Sequence, residues 1–257
     1  MTPVRGIVLA GGLGTRLLPM TRAVNKHVLP VYDRPMIYYP LDALRGAGVE
    51  DACVVVGGRA TEDVRELIQD GQAWGFRRLE YAVQAGQGGI ADALRCARSF
   101  AGDAPICVIL GDNIVQEPLQ QHAARFIREG YQAMVLLARV GDPERFGVPE
   151  FGPQGEIRRI VEKPALPASN HAVTGVYFYR PDVFGVIDQL RPSARGEMEI
   201  TDVNNVFASR GTLGWAELTG FWADAGTADG LFRASALVRE QRLGPSASSE
   251  VAAAVSG

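Results

Sequence analysis

Apolar and amphipathic segments alternate along the first 140 residues. Short apolar runs predict buried strands, and apolar residues spaced three and four apart predict helices packed on one face. The predicted strands are residues 4–10, 51–56, 78–83, 106–110 and 133–138. The predicted helices are residues 35–45, 61–69, 89–100 and 118–129. This repeated alternation predicts an α/β fold with a mainly parallel sheet flanked by helices on both faces.

The pattern changes after residue 140, where strand-like runs are shorter and separated by Pro, Gly and Asn. Residues 145–151, 156–162 and 173–179 predict an inserted antiparallel layer, so the whole sheet is expected to be Rossmann-like but mixed. Helices are predicted at 182–190, 199–210 and 228 to about 242, with a strand at 213–218. We therefore predict one domain over residues 1–243, with parts at about 1–140 and 141–227. Residues 244–257, mostly Ser, Ala and Val, predict a flexible tail.

Composition narrows the class of protein. The chain has 257 residues, a net charge of −3, 47% hydrophobic residues and 21% charged residues. A net negative charge does not favour binding to nucleic acid or to an anionic membrane. No apolar run approaches the roughly 20 residues that span a bilayer. The three cysteines have no metal-ligand spacing, and no signal-peptide pattern follows Met1. We therefore predict a cytoplasmic protein with reduced thiols.

A glycine-rich loop follows the first predicted strand, with the sequence Gly-Gly-Leu-Gly-Thr-Arg over residues 11–16. Glycines allow backbone N–H groups to approach a ligand that a Cβ would exclude, and a guanidinium binds phosphate oxygens in pairs. Arg16 and the later Lys26 therefore indicate a phosphate site. The loop has no Gly-Lys-Ser/Thr, so it is not a P-loop. Leu17 stands where a dinucleotide fingerprint needs a small residue, which argues against a nicotinamide dehydrogenase.

Polar residues follow other predicted strands. Asp112 comes after the apolar run at 106–110, and its carboxylate suits either a Mg²⁺ ligand or a turn. Asp224 precedes the last predicted helix and suits either a metal ligand or a helix cap. Gln84 follows a strand, and its amide can either pair with a base edge or lie in a solvated loop.

Three segments carry a resemblance to a known family. Residues 9–17 (Leu-Ala-Gly-Gly-Leu-Gly-Thr-Arg-Leu) and 26–31 (Lys-His-Val-Leu-Pro-Val) resemble the sugar-phosphate nucleotidyltransferases. Residues 32–41 narrow the resemblance to the glucose-1-phosphate thymidylyltransferase group, in a short form that lacks a C-terminal helical extension. The similarity extends from residue 4 to about residue 240.

The resemblance implies a Mg²⁺-dependent enzyme. It would join a nucleoside triphosphate, expected to be dTTP, to a sugar 1-phosphate, expected to be glucose 1-phosphate, and release pyrophosphate. A uridylyltransferase that uses UTP and a non-catalytic sugar-nucleotide-binding regulator remain alternatives. The loop at 85–88 departs from the run found in longer relatives, which leaves thymine against uracil open. The resemblance also implies a homo-oligomer.

The resemblance assigns roles to particular residues, and it makes the inserted antiparallel layer the sugar-binding layer. The implied catalytic residues are Arg16, Lys26 and Asp112, with Mg²⁺ on Asp112 and Asp224. The implied nucleotide-binding residues are Leu9, Gly11, Gly12, Gly14, Thr15, Arg16, Gln84 and Gly89. The implied sugar-phosphate ligands are Asn113, Gly147, Glu162, Lys163, Val173, Tyr177 and Glu197. Phe146 stands where many relatives have Tyr, so one hydroxyl is missing from the expected sugar pocket.

Overall fold

The computed structural model describes residues 3–58, 61–193 and 195–255, with side chains described up to Leu243. Within that part of the chain, no helix combines the length and apolar character needed to cross a bilayer.

A seven-stranded sheet forms the centre of the molecule. Its strands are β1 (Arg5–Ala10), β4 (Asp51–Gly57), β5 (Arg78–Gln84), β6 (Ile106–Leu110), β8 (Ala133–Arg139), β11 (His171–Tyr179) and β12 (Leu213–Glu217). Their order across the sheet is β12-β8-β11-β6-β1-β4-β5. Of these strands, only β11 runs antiparallel to its neighbours β6 and β8. The predicted mixed, mainly parallel α/β sheet is confirmed.

Helices cover both faces of this sheet because side chains alternate across each strand. On β1, Ile7 and Leu9 pack into one core and Val8 and Ala10 into the other. The first face is covered by α3 (Ile90–Cys96), α4 (Arg98–Ala101), α6 (Val183–Ile187) and α7 (Ile200–Ser209). The second is covered by α1 (Tyr38–Gly46), α2 (Thr61–Ile68) and α5 (Gln120–Glu129).

Three small antiparallel sheets complete the fold. They pair β2 (Pro30–Val31) with β3 (Arg34–Pro35), β7 (Asn113–Val115) with β13 (Trp222–Asp224), and β9 (Gly147–Phe151) with β10 (Ile157–Glu162). The β9–β10 pair corresponds to part of the predicted antiparallel layer. The third predicted strand of that layer is β11, which lies instead inside the main sheet between β8 and β6. Its side chains at 176–179 are buried on both faces, which favours a central strand over a surface layer.

Several helix boundaries differ from the predicted ones. The helix α1 begins at Tyr38 rather than at residue 35, because Arg34 and Pro35 pair with β2. The helix predicted over 89–100 is divided at Ala97, which separates α3 from α4. The helix α8 (Ala228–Val255) continues past the predicted end, and the alanines near residue 253 favour helix. Side chains from Gly244 onward lie outside the described residues, so the flexible tail stays a prediction.

Candidate functional site

A cleft of about 330 Å³ opens at the carboxyl ends of the central parallel strands. Ligands bind at this edge in open α/β sheets because loops of several strands converge there. Predicted site residues that line the cleft are Leu9, Gly11, Gly12, Arg16, Gln84, Gly89, Lys26, Asp112, Asn113, Gly147, Glu162, Lys163, Val173, Tyr177, Glu197 and Asp224. Gly14 and Thr15 are not among the lining residues.

The glycine loop contributes Gly11, Gly12 and Arg16 to the lining of this cleft. Gly14 adopts the left-handed conformation with φ of 68°, and its carbonyl oxygen accepts a hydrogen bond of 2.7 Å from the hydroxyl of Thr21. A Cβ on Gly12 would lie 3.3 Å from Nζ of Lys26. Gly14 therefore shapes the turn, while Gly12 leaves room for the lysine.

Lys26 and Asp112 form a buried ion pair in the cleft. Nζ of Lys26 lies 2.6 Å from Oδ2 of Asp112, and the two side chains are only 12% and 10% exposed. Burial would raise the pKa of the Asp112 carboxyl, but the Lys26 ammonium and the Asn113 amide lower it well below its usual range. Asp112 is therefore ionised at neutral pH.

Asp224 lies beside Asp112, although the two are far apart in the sequence. Strand β13 pairs with β7 so that Asp224 faces Asn113, and the N–H of Ala225 donates to the carbonyl of Asp112 over 2.8 Å. Burial and then the charge of Asp112 raise the pKa of the Asp224 carboxyl. The two carboxylates therefore repel each other in this arrangement.

The charged groups of Asp112, Asp224 and Arg16 converge next to Gly226. A Cβ built there would lie 2.8 Å from Oδ2 of Asp112, 2.9 Å from Oδ1 of Asp224 and 3.2 Å from Nη2 of Arg16. The guanidinium of Arg16 therefore reaches the same place as both carboxylates. Only a residue without a side chain fits at position 226 without displacing one of them.

His27 supports this cluster from behind. Its Nδ1 lies 2.8 Å from Oδ1 of Asn25, and a Cβ on Gly111 would lie 2.6 Å from its Cδ2. Burial, reinforced by the charge of Lys26, lowers the pKa of His27 to about 3. The imidazole is therefore neutral and packs against the backbone that leads into Asp112.

Gln84 and Gly89 form the wall on the β5 side. Gln84 is 6% exposed, and its Nε2 donates to the carbonyl of Gly89 over 3.0 Å. Gly89 has a φ of 89°, and a Cβ on it would lie 2.7 Å from the carbonyl oxygen of Met198. The absent side chain at Gly89 therefore permits close packing on Met198, a constraint that local sequence does not reveal.

Glu162 and Lys163 line the cleft at the end of β10. Oε2 of Glu162 accepts a bond of 2.9 Å from the Thr201 hydroxyl, and its Oε1 lies 3.5 Å from Nζ of Lys163. Nη2 of Arg195 lies 3.7 Å from the same Oε1. Lys163 has a φ of 45°, an uncommon conformation for a residue with a side chain, and its N–H donates to Phe146.

Asn113 is held more tightly than a simple ligand role requires. Its Oδ1 accepts bonds from the Gly175 N–H at 2.8 Å and from the Trp222 indole at 2.6 Å, and its Nδ2 donates to Asp112 at 3.2 Å. These bonds use both lone pairs of the amide oxygen and one of the two amide hydrogens. One amide hydrogen is therefore left for a ligand. Asn113 therefore also fixes the relative positions of β7, β11 and β13.

Several lining residues were not predicted as site residues. Trp222 packs edge-to-face on Phe146, with ring centroids 5.1 Å apart, and Arg145 lines the cleft beside them. Thr201 lies at the start of α7 and supports Glu162. These contacts join segments distant in sequence, and the local pattern around each residue suits an ordinary surface position. For Trp222, the available signal in the sequence was its position two residues before Asp224, a predicted site residue.

Tyr177 closes the floor of the cleft from the central strand β11. It is 4% exposed, and burial followed by the charges of Glu162, Asp112 and Asp224 raises the pKa of its phenol far above the usual value. The hydroxyl therefore keeps its proton. Val173 and Glu197 also line the cleft.

Comparisons with known proteins identify the family of this chain. Residues 5–241 match the family model described as nucleotidyl transferase. The glucose-1-phosphate thymidylyltransferase of Neisseria gonorrhoeae is 44% identical over 92% of this chain and 83% of its own length. That of Xanthomonas campestris pv. campestris is 43% identical over 91% and 80%.

Solved structures show the same fold. A Bacillus anthracis protein described as a glucose-1-phosphate thymidylyltransferase, crystallised with sucrose, superimposes with a TM-score of 0.87 at 44% identity. The match covers 92% of this chain and 96% of that one. A UDP-glucose pyrophosphorylase in complex with UDP-glucose gives a TM-score of 0.81 at 27% identity, over 93% and 99% of the two chains. The chain belongs to the nucleotidyltransferase family.

Proposed function

We propose that this protein is a Mg²⁺-dependent glucose-1-phosphate thymidylyltransferase, which joins dTTP and glucose 1-phosphate to give dTDP-glucose and pyrophosphate. The observation that carries the proposal is the convergence of Arg16, Asp112 and Asp224 around Gly226, next to the glycine loop. The names of the relatives described above indicate the base of the nucleotide and the identity of the sugar. Each carries the name of this activity at 43–44% identity.

The reaction is an in-line displacement at the α-phosphorus of the triphosphate. A phosphate oxygen of the sugar 1-phosphate forms the new P–O bond as the bond to the β-phosphate oxygen breaks, and the electron pair leaves on pyrophosphate. The attacking group is already an anion, so no general base is needed. Catalysis then depends on aligning two polyanions and on stabilising negative charge.

In this proposal, cationic side chains of the cleft bind the phosphates of both substrates. Arg16 and Lys26 lie near the glycine loop, where backbone N–H groups would bind the triphosphate. Lys163 lines the same cleft directly after β10, where it would hold the phosphate of the sugar. Glu162, held by Thr201, would accept hydrogen bonds from sugar hydroxyls.

The donor set of the cleft fits Mg²⁺. Asp112 and Asp224 present two carboxylates that repel each other, and Mg²⁺ is commonly bound by one or two carboxylates together with substrate phosphates. Among the described residues, no group of three or more His, Cys, Asp or Glu side chains is arranged to hold a metal ion, so the phosphates would complete the coordination. When bound, the ion would neutralise charge on the transferred phosphoryl group and on pyrophosphate.

A substrate panel tests the proposal. Pyrophosphate release would be measured with dTTP, UTP, dCTP and GTP, each paired with glucose 1-phosphate and galactose 1-phosphate, in Mg²⁺ and in EDTA. The highest kcat/KM is expected for dTTP with glucose 1-phosphate, and EDTA should abolish turnover. A higher value for UTP would favour the uridylyltransferase alternative. Nucleotide binding with no pyrophosphate from any pair would favour the regulator.

The remaining expectations are a cytoplasmic location and a homo-oligomer. We infer both from the sequence and from the resemblance alone. Sedimentation velocity of the purified chain would test the second, with a single species larger than 27.6 kDa expected.

A further inference from the structure

The side-chain amide of Gln84 is held by two acceptors. Nε2 lies 3.0 Å from the carbonyl oxygen of Gly89 and 2.9 Å from Oδ2 of Asp92. A carbonyl and a carboxylate can only accept hydrogen bonds, so the nitrogen of the amide must face them and both of its hydrogens are committed. Oε1 is then the group that Gln84 has left to offer a ligand.

Oε1 of Gln84 points toward the glycine loop. A Cβ on Gly11 would lie 2.5 Å from this oxygen, and both residues line the cleft. The amide of Gln84 cannot reverse its orientation without breaking two hydrogen bonds. The base-binding end of the cleft therefore presents a fixed acceptor.

Asp92 is itself fixed in place. It lies in the first turn of α3 with a side chain 13% exposed, and its Oδ1 is 2.5 Å from Nη2 of Arg95. A Cβ on Gly88 would lie 2.4 Å from its Oδ2, so glycine at that position leaves the carboxylate free to reach Gln84. Asp92 does not line the cleft and can act only through Gln84.

We propose that Asp92 is a positioning residue for base selection, which locks Gln84 as a hydrogen-bond acceptor and so favours uracil and thymine over cytosine. The proposal rests on the proposed function, because it assumes that the base of a nucleotide reaches Gln84. Uracil and thymine carry a hydrogen on N3, which Oε1 can accept. Cytosine presents a lone pair at N3, which faces Oε1 without a proton between them, and an unpaired buried polar group is costly.

A purely structural role for Asp92 predicts something different. An acidic residue in the first turn stabilises a helix by its interaction with the helix dipole. Loss of that interaction would weaken folding and would affect all nucleotides equally. The ratio between two bases is therefore the informative quantity.

The test compares dUTP with dCTP, because these nucleotides differ only at position 4 and in the proton at N3. For Asp92→Ala, we expect the ratio of kcat/KM for dUTP over dCTP to fall at least tenfold, with the KM for glucose 1-phosphate unchanged. Gly88→Ala keeps the carboxylate but pushes it away from Gln84, so the ratio should fall in the same direction. Arg95→Ala removes the other partner of Asp92 and should leave the ratio within about twofold.

Binding separates this proposal from the proposed function. Dissociation constants for dUDP and dCDP would be measured by calorimetry on the same variants, with circular dichroism as the check on folding. If the protein releases no pyrophosphate but prefers dUDP, and Asp92→Ala removes that preference, the proposed activity fails and the role of Asp92 stands. An unchanged ratio in folded Asp92→Ala or Gly88→Ala, or a wild-type protein without preference for dUDP, overturns the proposal.

Discussion

The ammonium of Lys26 lies 2.6 Å from Oδ2 of Asp112, and both groups are almost completely removed from solvent. One of the two cations proposed for the triphosphate therefore neutralises one of the two carboxylates proposed for Mg²⁺. Lys26 keeps the Asp112 carboxylate ionised, and the ion pair holds both side chains in place before any substrate arrives. Lys26 should consequently matter for folding as well as for turnover.

Replacing Lys26 by Ala should lower the free energy of unfolding and abolish activity. The change leaves Asp112 buried without its cation, beside the second carboxylate of Asp224, and loss of one partner of a buried pair costs about 3–5 kcal/mol. Urea denaturation measures the free energy of unfolding, and pyrophosphate release measures turnover. The double variant Lys26→Met with Asp112→Asn should recover most of the stability and none of the activity. Wild-type stability in Lys26→Ala would mean that the pair contributes little to folding.

Arg16 should separate activity from stability. Its side chain is exposed, so Arg16→Ala should change the free energy of unfolding by no more than about 0.5 kcal/mol. Loss of a cation that stabilises transition-state charge should lower kcat about 10²- to 10³-fold. Arg22→Ala, on a neighbouring exposed turn of the same segment, is the matched control and should leave kcat unchanged. Similar turnover for the two variants would remove Arg16 from the proposed site.

Gly226 should be intolerant of even a methyl group. A Cβ there would lie within 2.9 Å of oxygens on both Asp112 and Asp224, so Gly226→Ala must push the two carboxylates apart. We expect a higher Mg²⁺ concentration for half-maximal activity and at least tenfold lower kcat, seen by titrating Mg²⁺ in the pyrophosphate assay. Gly185→Ala, where no atom lies within 4 Å of the added Cβ, should leave activity unchanged. Full activity of Gly226→Ala at low Mg²⁺ would contradict a shared metal site.

The raised pKa of Asp224 predicts a pH-dependent stability in the absence of metal. Burial and the charge of Asp112 make the folded state hold this proton more tightly than the unfolded state, whose pKa is near 3.8. Ionisation of Asp224 therefore destabilises the folded protein as pH rises above that value. Asp224→Asn should stabilise the metal-free protein at pH 7, and the gain should disappear as pH falls toward 4.

Thermal melts in EDTA at several pH values would measure this effect. Asp103→Asn, at an exposed turn, is the control and should give no pH-dependent gain. A gain for Asp224→Asn that is equal at pH 4 and pH 7 would show that folding does not raise the pKa of Asp224.

The strands of the main sheet were predictable where the signal is local. Residues 7–10 and 106–110 are continuous apolar runs, and they form neighbouring parallel strands of the sheet. The meeting of Asp112 with Asp224 depends on β7 and β13, two three-residue strands too short to give a periodic pattern. Their approach was available only through the family resemblance.

Other features required the three-dimensional arrangement. The strand β11 was predicted for the inserted layer because the runs before it are short and irregular, yet its pairing with β6 and β8 places it centrally. The contact between Gln84 and Asp92 depends on the side-chain conformation of both and on the glycine at 88. No periodicity or composition encodes such a contact.

The most direct test of the central claim is a crystal structure with Mn²⁺ and a non-hydrolysable dTTP analogue, in which anomalous scattering locates the metal. We expect one Mn²⁺ bound by Asp112 and Asp224, with the phosphates on Arg16 and Lys26 and the base against Gln84. A metal bound elsewhere, or phosphates that leave Arg16 and both carboxylates without contact, would contradict the proposed mechanism.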